Sequence, residues 1–239
     1  MQNAESSVAV LPGRPAEIQC EPLPAFDRTD RESVRRAFQS AVACPLEQAW
    51  LSETELGFSP GEVRLGWRGG SLLVFAELID MDIFNRATEL NQPLWKLGDV
   101  FEMFFKSDEM ENYVEFQVAP QNQRLQLSQP HARTAEWSHR REEFTNCLLW
   151  GEVFHSQTWV EAETNRWQVY AEIQARMVCG SNNPMENTQW RFSFGRYDYT
   201  RGVTEPVISS TSPHTKPDFH RQHEWGVLTF NNSLVIENR

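Results

Sequence analysis

Three segments decide the fold: LLVFAELIDMDIFNR (72–86), NQPLWKLGDVFEMFFK (91–106) and YVEFQVAPQNQRL (113–125). In the third segment apolar and polar side chains alternate, a period of two that predicts a strand with one face toward a core. The first segment is apolar on both faces, which is typical of a strand in the middle of a sheet. The apolar face of the third segment consists of Val114, Phe116 and Val118.

The same strand pattern continues on both sides of this block. Val63, Leu65 and Trp67 alternate with polar residues ahead of Gly69-Gly70, a pair that indicates a hairpin turn. Strands at this spacing, without a repeated βαβ pattern, indicate an all-β sandwich or barrel. The strands predicted from the segments and their flanks cover 71–80, 99–106, 113–119, 124–128, 158–160, 167–173, 190–199 and 225–230.

One helix signal precedes the strands. Thr29 and Glu32 have capping-box spacing, apolar residues follow at helical intervals, and Pro45 stops the run. We therefore predict a short helix over about residues 30–43. Because no linker divides the chain, residues 1–239 are predicted to form a single domain, with 1–28 as an extended lead-in and 60–230 as the core β-sandwich.

Composition limits the class of partner. With 22 Lys and Arg against 33 Asp and Glu, the formal net charge of the 239 residues is −11. This charge argues against nucleic acid and against an anionic membrane surface, which both attract basic patches. A neutral or cationic ligand is compatible with it. The four cysteines form no CxxC pair, so a zinc ribbon is not indicated, and two disulfides or four buried thiols both remain open.

No catalytic motif accompanies these strands. The sequence contains no P-loop, no GxSxG elbow, no HExxH pair and no dinucleotide-binding glycine run, so we expect no enzyme activity. It also shows no signal peptide and no apolar stretch of membrane-spanning length. The expected location is therefore cytoplasmic by default, or outside the cell if a leader has been removed.

The three segments together resemble the family 9 carbohydrate-binding modules and the wider DOMON-like group. The shared pattern is a strand ending in Asp80, a loop with Trp95, a D-x-x-E strand with Asp99 and Glu102, and a hairpin strand from Tyr113 to Pro120. Three later segments fit the same order, although Ala175 stands where proline is common and Trp225 replaces a phenylalanine. They are Trp167–Ile173, Trp190–Arg196 and Phe219–Phe230.

The resemblance implies a fold and a function. The fold is a two-sheet antiparallel β-sandwich, jelly-roll-like and DOMON-like, with one short N-terminal helix. The function is non-catalytic binding of a polysaccharide or a sugar end in a concave groove. Trp95 matches the loop tryptophan of the family and is the first candidate for stacking on a sugar ring. The alternative is that Trp95 folds back onto the core.

Charged and amide side chains are the candidates for holding sugar hydroxyls. Glu102 lies between apolar neighbours and needs a partner. Arg124 and Arg196 are the expected donors, either as part of a carbohydrate site or as ion pairs that only satisfy the interior. Glu115 and Gln117 are further candidates on the polar face of their strand.

Other ligands implied by the resemblance are a calcium ion and haem. Asp80 and Asp82 offer hard oxygen ligands for Ca²⁺, although ordinary turn chemistry also explains two such residues. DOMON-like domains can hold haem through axial Met and His side chains, for which Met81 and Met103 would be candidates. A third alternative is a sandwich that binds only another protein.

Overall fold

The computed structural model describes residues 13–130, 141–180 and 188–230, and these residues form two β-sheets with a few short helices. Residues 1–12 of the predicted lead-in lie outside the described residues. The larger sheet has seven strands: β1 (Glu17–Cys20), β5 (Val100–Ser107), β6 (Tyr113–Val118), β7 (Arg124–Gln129), β10 (Gln189–Asp198), β11 (Val207–Ser210) and β12 (Gly226–Phe230). The smaller sheet has five: β2 (Ala43–Pro45), β3 (Gly61–Arg68), β4 (Ser71–Ile79), β8 (Phe154–Glu161) and β9 (Arg166–Gln174).

The predicted all-β sandwich is confirmed. Along the main path of the seven-stranded sheet the order is β1-β12-β10-β5-β6-β7, and β11 pairs with β10. The five-stranded sheet has the order β2-β3-β4-β9-β8, so the strongly apolar β4 lies in its centre as predicted. All pairs are antiparallel except β1 with β12, which is parallel.

The hairpin between β3 and β4 follows the sequence signal. Arg68 pairs with Ser71, which leaves Gly69 and Gly70 as a two-residue loop. Both glycines have positive φ, +58° and +83°. Residues other than glycine rarely adopt this backbone conformation, so the glycine pair fixes the turn and the register of the two strands.

The helix is shorter than predicted. It begins at Arg31 and ends at Ala37 (α1, Arg31–Ala37), and β2 already starts at Ala43. The N-cap is Asp30, whose side chain accepts a hydrogen bond from Glu32 N at 3.1 Å, and not Thr29. Thr29 instead donates its hydroxyl to Asp27 at 2.7 Å. Two further helices are α2 (Arg141–Cys147) and α3 (Arg176–Cys179).

The main core lies between the two sheets. It also includes residues outside the predicted range 60–230, because Ile18 and Cys20 on β1 and Cys44 on β2 are buried in it. A second cluster lies on the outer side of the five-stranded sheet, where Phe38 next to α1 packs on Phe75 and Tyr170. The cysteines are free thiols. In the described part of the chain, no helix has the length and apolar character needed to cross a membrane.

Candidate functional site

A strip of polar side chains crosses the outer face of the seven-stranded sheet, the face turned away from the main core. The alternation of β5 sends Phe101, Met103 and Phe105 into the core and leaves Glu102 on the outer face. Gln117 lies directly opposite Glu102 on β6. The outer polar strip consists of Glu102, Glu115, Gln117 and Gln129.

Hydrogen bonds join the outer polar strip. The Gln117 amide donates from Nε2 to Oε1 of Glu102 and to Oε1 of Glu115, at 2.6 Å each. Gln129 Nε2 donates to the other oxygen of Glu115 at 2.8 Å. Because both amide nitrogens face carboxylates, the two amide oxygens point elsewhere, and neither accepts a hydrogen bond from the residues that the structure describes. The strip is thus rich in acceptors and closed to solvent, since its members are at most 3% exposed.

Two apolar clusters, each joined by aromatic rings, border the outer polar strip. On one side, Val100, Leu125 and Leu127 pack together with the half-buried Trp95. On the other side, Phe104, Tyr113, Phe219 and Trp225 form a cluster that the half-buried Trp50 joins. The fold therefore places hydrogen-bonding groups between two aromatic regions. Gln129 and Trp50 were not singled out from the sequence. Gln129 was within reach of the strand pattern, because Tyr113 and Glu115 share one face of β6 and Gln129 pairs with Tyr113 across the hairpin.

Trp95 takes an intermediate position between the two predicted roles. It lies in a single 3-10 turn, Leu94–Lys96, which buries Leu94 and leaves the Trp95 side chain partly exposed. Its ring meets Phe144 edge-on, with 5.8 Å between the ring centroids. Its carbonyl oxygen accepts a hydrogen bond from the Tyr199 hydroxyl at 2.7 Å. The ring is fixed on the edge of an aromatic cluster and still has solvent-accessible surface.

Arg124 and Arg196 do not lie on the outer face with Glu102. Arg124 stands opposite Val118 and Arg196 opposite Phe101, and both of those residues point into the main core. Arg124 donates to the Phe154 carbonyl at 2.9 Å and pairs with Glu152 at 3.2 Å. The expected grouping of these arginines with Glu102 is therefore wrong, because the strand alternation places the two arginines on the inner face of the sheet and Glu102 on the outer face.

Arg196 belongs to a buried acidic cluster at the end of the sandwich. Carboxylate oxygens of Asp80, Asp99 and Asp198 all lie within 4.8 Å of one another. Arg196 Nη2 is 3.2 Å from Asp80 Oδ2 and 2.9 Å from Asp198 Oδ2. Arg196 also donates to the carbonyl of Ser59 at 3.2 Å. The guanidinium neutralises part of the charge that three carboxylates bring into the interior.

Burial and mutual repulsion raise two pKa values in the acidic cluster. Loss of hydration and then the neighbouring Asp80 raise the pKa of Asp99 to about 8. Loss of hydration raises the pKa of Asp198 to about 6, although Arg196 works against this shift. The raised pKa of Asp99 favours a proton within the acidic cluster at neutral pH, which lowers the negative charge that the three carboxylates would otherwise carry.

The described geometry does not fit a calcium ion at Asp80 and Asp82. Asp82 accepts from the Arg201 backbone N–H at 2.7 Å and also pairs with the Arg201 guanidinium. Asp80 Oδ1 accepts from the Asp82 N–H at 2.9 Å, and its Oδ2 faces Arg196. Calcium needs six to eight oxygen ligands, and here an arginine of the chain takes the place of the cation. The residues present thus favour turn formation and internal charge pairing.

The two methionines considered for haem lie in different surroundings. Met103 is fully buried in the core between the sheets, and Met81 is 71% exposed. They therefore do not line one common cavity. His220, a residue of the last sequence segment, shares a hydrogen bond of 2.7 Å with the Tyr113 hydroxyl and helps to close the fold.

An open cavity of about 760 Å³ lies beside the Trp95 turn, where loops from both sheets meet. We call it the loop-end cavity. Phe84, Lys96, Tyr199 and Arg201 are among the residues that line it, and the Trp95 side chain does not. The Arg201 guanidinium carbon is 4.3 Å from the centre of the Phe84 ring. This stacked pair forms one wall of the cavity.

Comparison with solved structures identifies the fold. A candidate carbohydrate-binding protein from Bacteroides uniformis ATCC 8492 matches with a TM-score of 0.67 at 14% identity, over 91% of this chain and 99% of that one. A family 9 carbohydrate-binding module from Caldicellulosiruptor kristjanssonii matches twice. The complex with cellotriose gives a TM-score of 0.59 at 15% identity, and the complex with glucose gives 0.57 at 14%. Each covers 94% of this chain and 100% of the module.

These matches define a class by its architecture. No sequence-family model matches the chain, and no curated protein matches it. The chain is a β-sandwich with the fold of the family 9 carbohydrate-binding modules. At identities of 14–15% the likeness concerns the fold, and it leaves the ligand of this chain to be argued from its own residues.

Proposed function

We propose that this protein binds carbohydrate without cleaving it, at the outer polar strip and with Trp95 as the stacking residue. The observation that carries the proposal is the strip itself, in which Gln117 and Gln129 each present a buried amide oxygen that accepts no hydrogen bond within the described part of the chain. The fold supports the same function, since proteins of this architecture include modules bound to cellotriose and glucose.

Sugar hydroxyls match the chemistry of the outer polar strip. Each hydroxyl both donates and accepts a hydrogen bond. The amide oxygens of Gln117 and Gln129 would accept from such hydroxyls, and the side-chain oxygens of Glu102 and Glu115 offer further acceptors. The apolar face of a pyranose would lie on the accessible surface of Trp95.

Access to the outer polar strip requires movement. Glu102 and Gln117 are 3% and 1% exposed, so a sugar reaches them only when the atoms above them shift. We therefore expect association to be slower than for an open groove, because binding then waits for a less populated conformation. Stopped-flow tryptophan fluorescence measures this rate. An association rate at the level of a rigid open site would place the sugar elsewhere on the protein.

The same geometry supports binding without cleavage at the outer polar strip. A retaining glycosidase needs two carboxyl groups about 5 Å apart with the scissile bond between them. Between Glu102 and Glu115 stands the amide nitrogen of Gln117, 2.6 Å from each, which fills the position that a glycosidic bond would need. Prolonged incubation with cellulosic, xylan and mannan oligosaccharides should release no shorter products.

A tryptophan pair tests the proposal. Trp95→Ala should weaken sugar binding by roughly 1–3 kcal/mol, the size of a hot-spot loss. Trp150→Ala is the matched control, because Trp150 is 71% exposed and takes no part in the aromatic clusters. Isothermal titration calorimetry gives both affinities, and thermal unfolding shows that both variants are folded. Equal affinities for the two variants would remove Trp95 from the site.

A further inference from the structure

A second groove lies on the opposite side of the molecule, on the outer face of the five-stranded sheet. It has a volume of about 740 Å³ and runs between the segment before α1 and the end of the β3–β4 hairpin. A smaller cavity of about 330 Å³ shares Gly69 and Glu172 with it, so the two form one continuous surface. We call this surface the hairpin groove and define it by Phe26, Arg28, Arg68, Tyr170, Glu172 and Arg176.

The wall of the hairpin groove is aromatic and held in place by packing. Tyr170 is 1% exposed, and Phe26 meets its ring edge-on with centroids 5.7 Å apart. Phe26 also packs on Phe38 at 6.2 Å, which ties it to α1. Phe26 remains half-buried and so presents apolar surface to the groove. A ring of this kind offers a stacking plane for a sugar.

The rim of the hairpin groove carries three arginines. Arg28 donates to Glu172 at 3.3 Å, a long and largely exposed contact. Arg68 and Arg176 form no ion pair or side-chain hydrogen bond with any residue in the described ranges. Gly70 O accepts from Ala175 N at 3.0 Å, which sets the start of α3, and with it Arg176, beside the hairpin turn.

The charge of the hairpin groove is opposite to that of the whole chain. The groove holds three arginines against the carboxylates of Asp27 and Glu172, whereas the protein has a formal net charge of −11. A guanidinium without a carboxylate partner is suited to bind one from a ligand through two parallel hydrogen bonds. The negative charge of the rest of the chain would repel anions from much of the surface, whereas this groove offers basic side chains to one.

We propose that the hairpin groove binds a carboxylated sugar, a uronic acid residue of an acidic glycan. The apolar face of the ring lies on Phe26, and the carboxylate pairs with the guanidinium groups of Arg68 and Arg176. Glu172, which already accepts from the Ser71 hydroxyl at 3.3 Å, takes a sugar hydroxyl. This site is separate from the outer polar strip, because the two lie on different sheets and on opposite faces of the sandwich.

The test compares charged and neutral sugars on matched variants. Oligogalacturonate, the corresponding neutral galactose oligomers and inorganic phosphate are each titrated into the protein by calorimetry. The variant Arg68→Gln/Arg176→Gln removes both unpaired guanidiniums. Arg191→Gln is the control, because Arg191 is an exposed arginine on β10 of the other sheet. Phe26→Leu keeps an apolar side chain in the packing and removes the stacking plane.

The expected result is that oligogalacturonate binds and the neutral oligomers do not bind to the hairpin groove. The double arginine variant should weaken oligogalacturonate binding at least about tenfold, a loss of ~1.4 kcal/mol or more. Arg191→Gln and Trp95→Ala should leave this affinity unchanged, so the hairpin groove is tested apart from the outer polar strip. Phe26→Leu should weaken it while thermal unfolding reports a folded protein.

Three outcomes would overturn the assignment. The first is no heat with oligogalacturonate. The second is an equal loss of oligogalacturonate affinity in Arg191→Gln and in the double variant, which would mean that the protein attracts the sugar only through its overall charge. The third is phosphate binding as tightly as oligogalacturonate, together with an unchanged affinity in Phe26→Leu, which means an anion site that does not recognise the sugar ring.

Discussion

The raised pKa of Asp99 leads to a specific prediction about stability and pH. An unfolded chain releases the Asp99 proton near the ordinary value of 3.8, whereas the folded protein keeps it to about pH 8. Between these two values the folded state binds a proton that the unfolded state does not. The free energy of unfolding therefore falls as the pH rises through this window.

The size of the effect follows from the pKa difference. Each pH unit between the unfolded and folded pKa contributes ~1.4 kcal/mol, so raising the pH from about 5 to about 8 lowers the free energy of unfolding by roughly 3–4 kcal/mol through Asp99. Asp198 acts in the same direction, but its raised pKa of about 6 ends its contribution earlier. Two other groups act in the opposite direction. The pKa values of the buried His214 and of the paired Glu224 are lowered in the folded protein, so their contributions to the free energy of unfolding are lost as the pH falls.

Asp99→Asn separates these contributions. Asparagine does not titrate, and its single amide oxygen can accept from only one of the two backbone N–H groups, Phe84 and Tyr199, that the two oxygens of Asp99 now satisfy at 2.5 Å and 2.8 Å. Urea unfolding of both proteins at pH 5 and pH 8 gives four free energies of unfolding. When the change between the two pH values is compared for the two proteins, the contributions of titrating groups outside the acidic cluster cancel. The variant should be less stable at pH 5 and lose roughly 3 kcal/mol less between the two pH values. Parallel losses in the two proteins would refute the raised pKa.

Three further perturbations test other parts of the structure. Phe38→Ala should lower the free energy of unfolding by roughly 3–5 kcal/mol, because the ring is fully buried against Phe75 and Tyr170; a loss under ~1 kcal/mol in urea unfolding would mean that α1 does not depend on this contact. Asp30→Ala should cost about 1 kcal/mol by removing the N-cap of α1, and an unchanged midpoint would contradict that role. Calcium or a chelator should leave the thermal midpoint unchanged, because Arg196 already takes the place of a cation between Asp80 and Asp198, and a higher midpoint with calcium would show that the acidic cluster binds the ion.

Strand positions were predictable because their causes are local. The alternation in Tyr113–Val118 and the glycines at 69 and 70 report which face is buried and where the chain turns, without reference to distant residues. The helix is shorter than its apolar spacing suggests. Phe38 at its end packs on the five-stranded sheet, and the chain then leaves the helix to reach β2 at Ala43.

The candidate site was predictable only in part, because it depends on contacts between distant segments. That Glu102 and Gln117 carry polar groups on strand faces follows from the alternation, but their direct pairing across β5 and β6 depends on register. The ion pair between Arg196 and Asp80 joins residues 116 positions apart in the sequence (196 minus 80), and no local pattern predicts it. Arg124 was misplaced for the same reason: the sequence shows its charge and not the strand face that receives it.

Chemical-shift mapping by NMR tests the central claim most directly. Labelled protein is titrated with cellotriose and with xylan and mannan oligosaccharides, and backbone amide shifts are followed residue by residue. We predict that at least one of these sugars binds and that the largest shifts cluster on β5, β6 and the 3-10 turn that carries Trp95. Silence across all three sugar classes, or shifts confined to the five-stranded sheet, would contradict it.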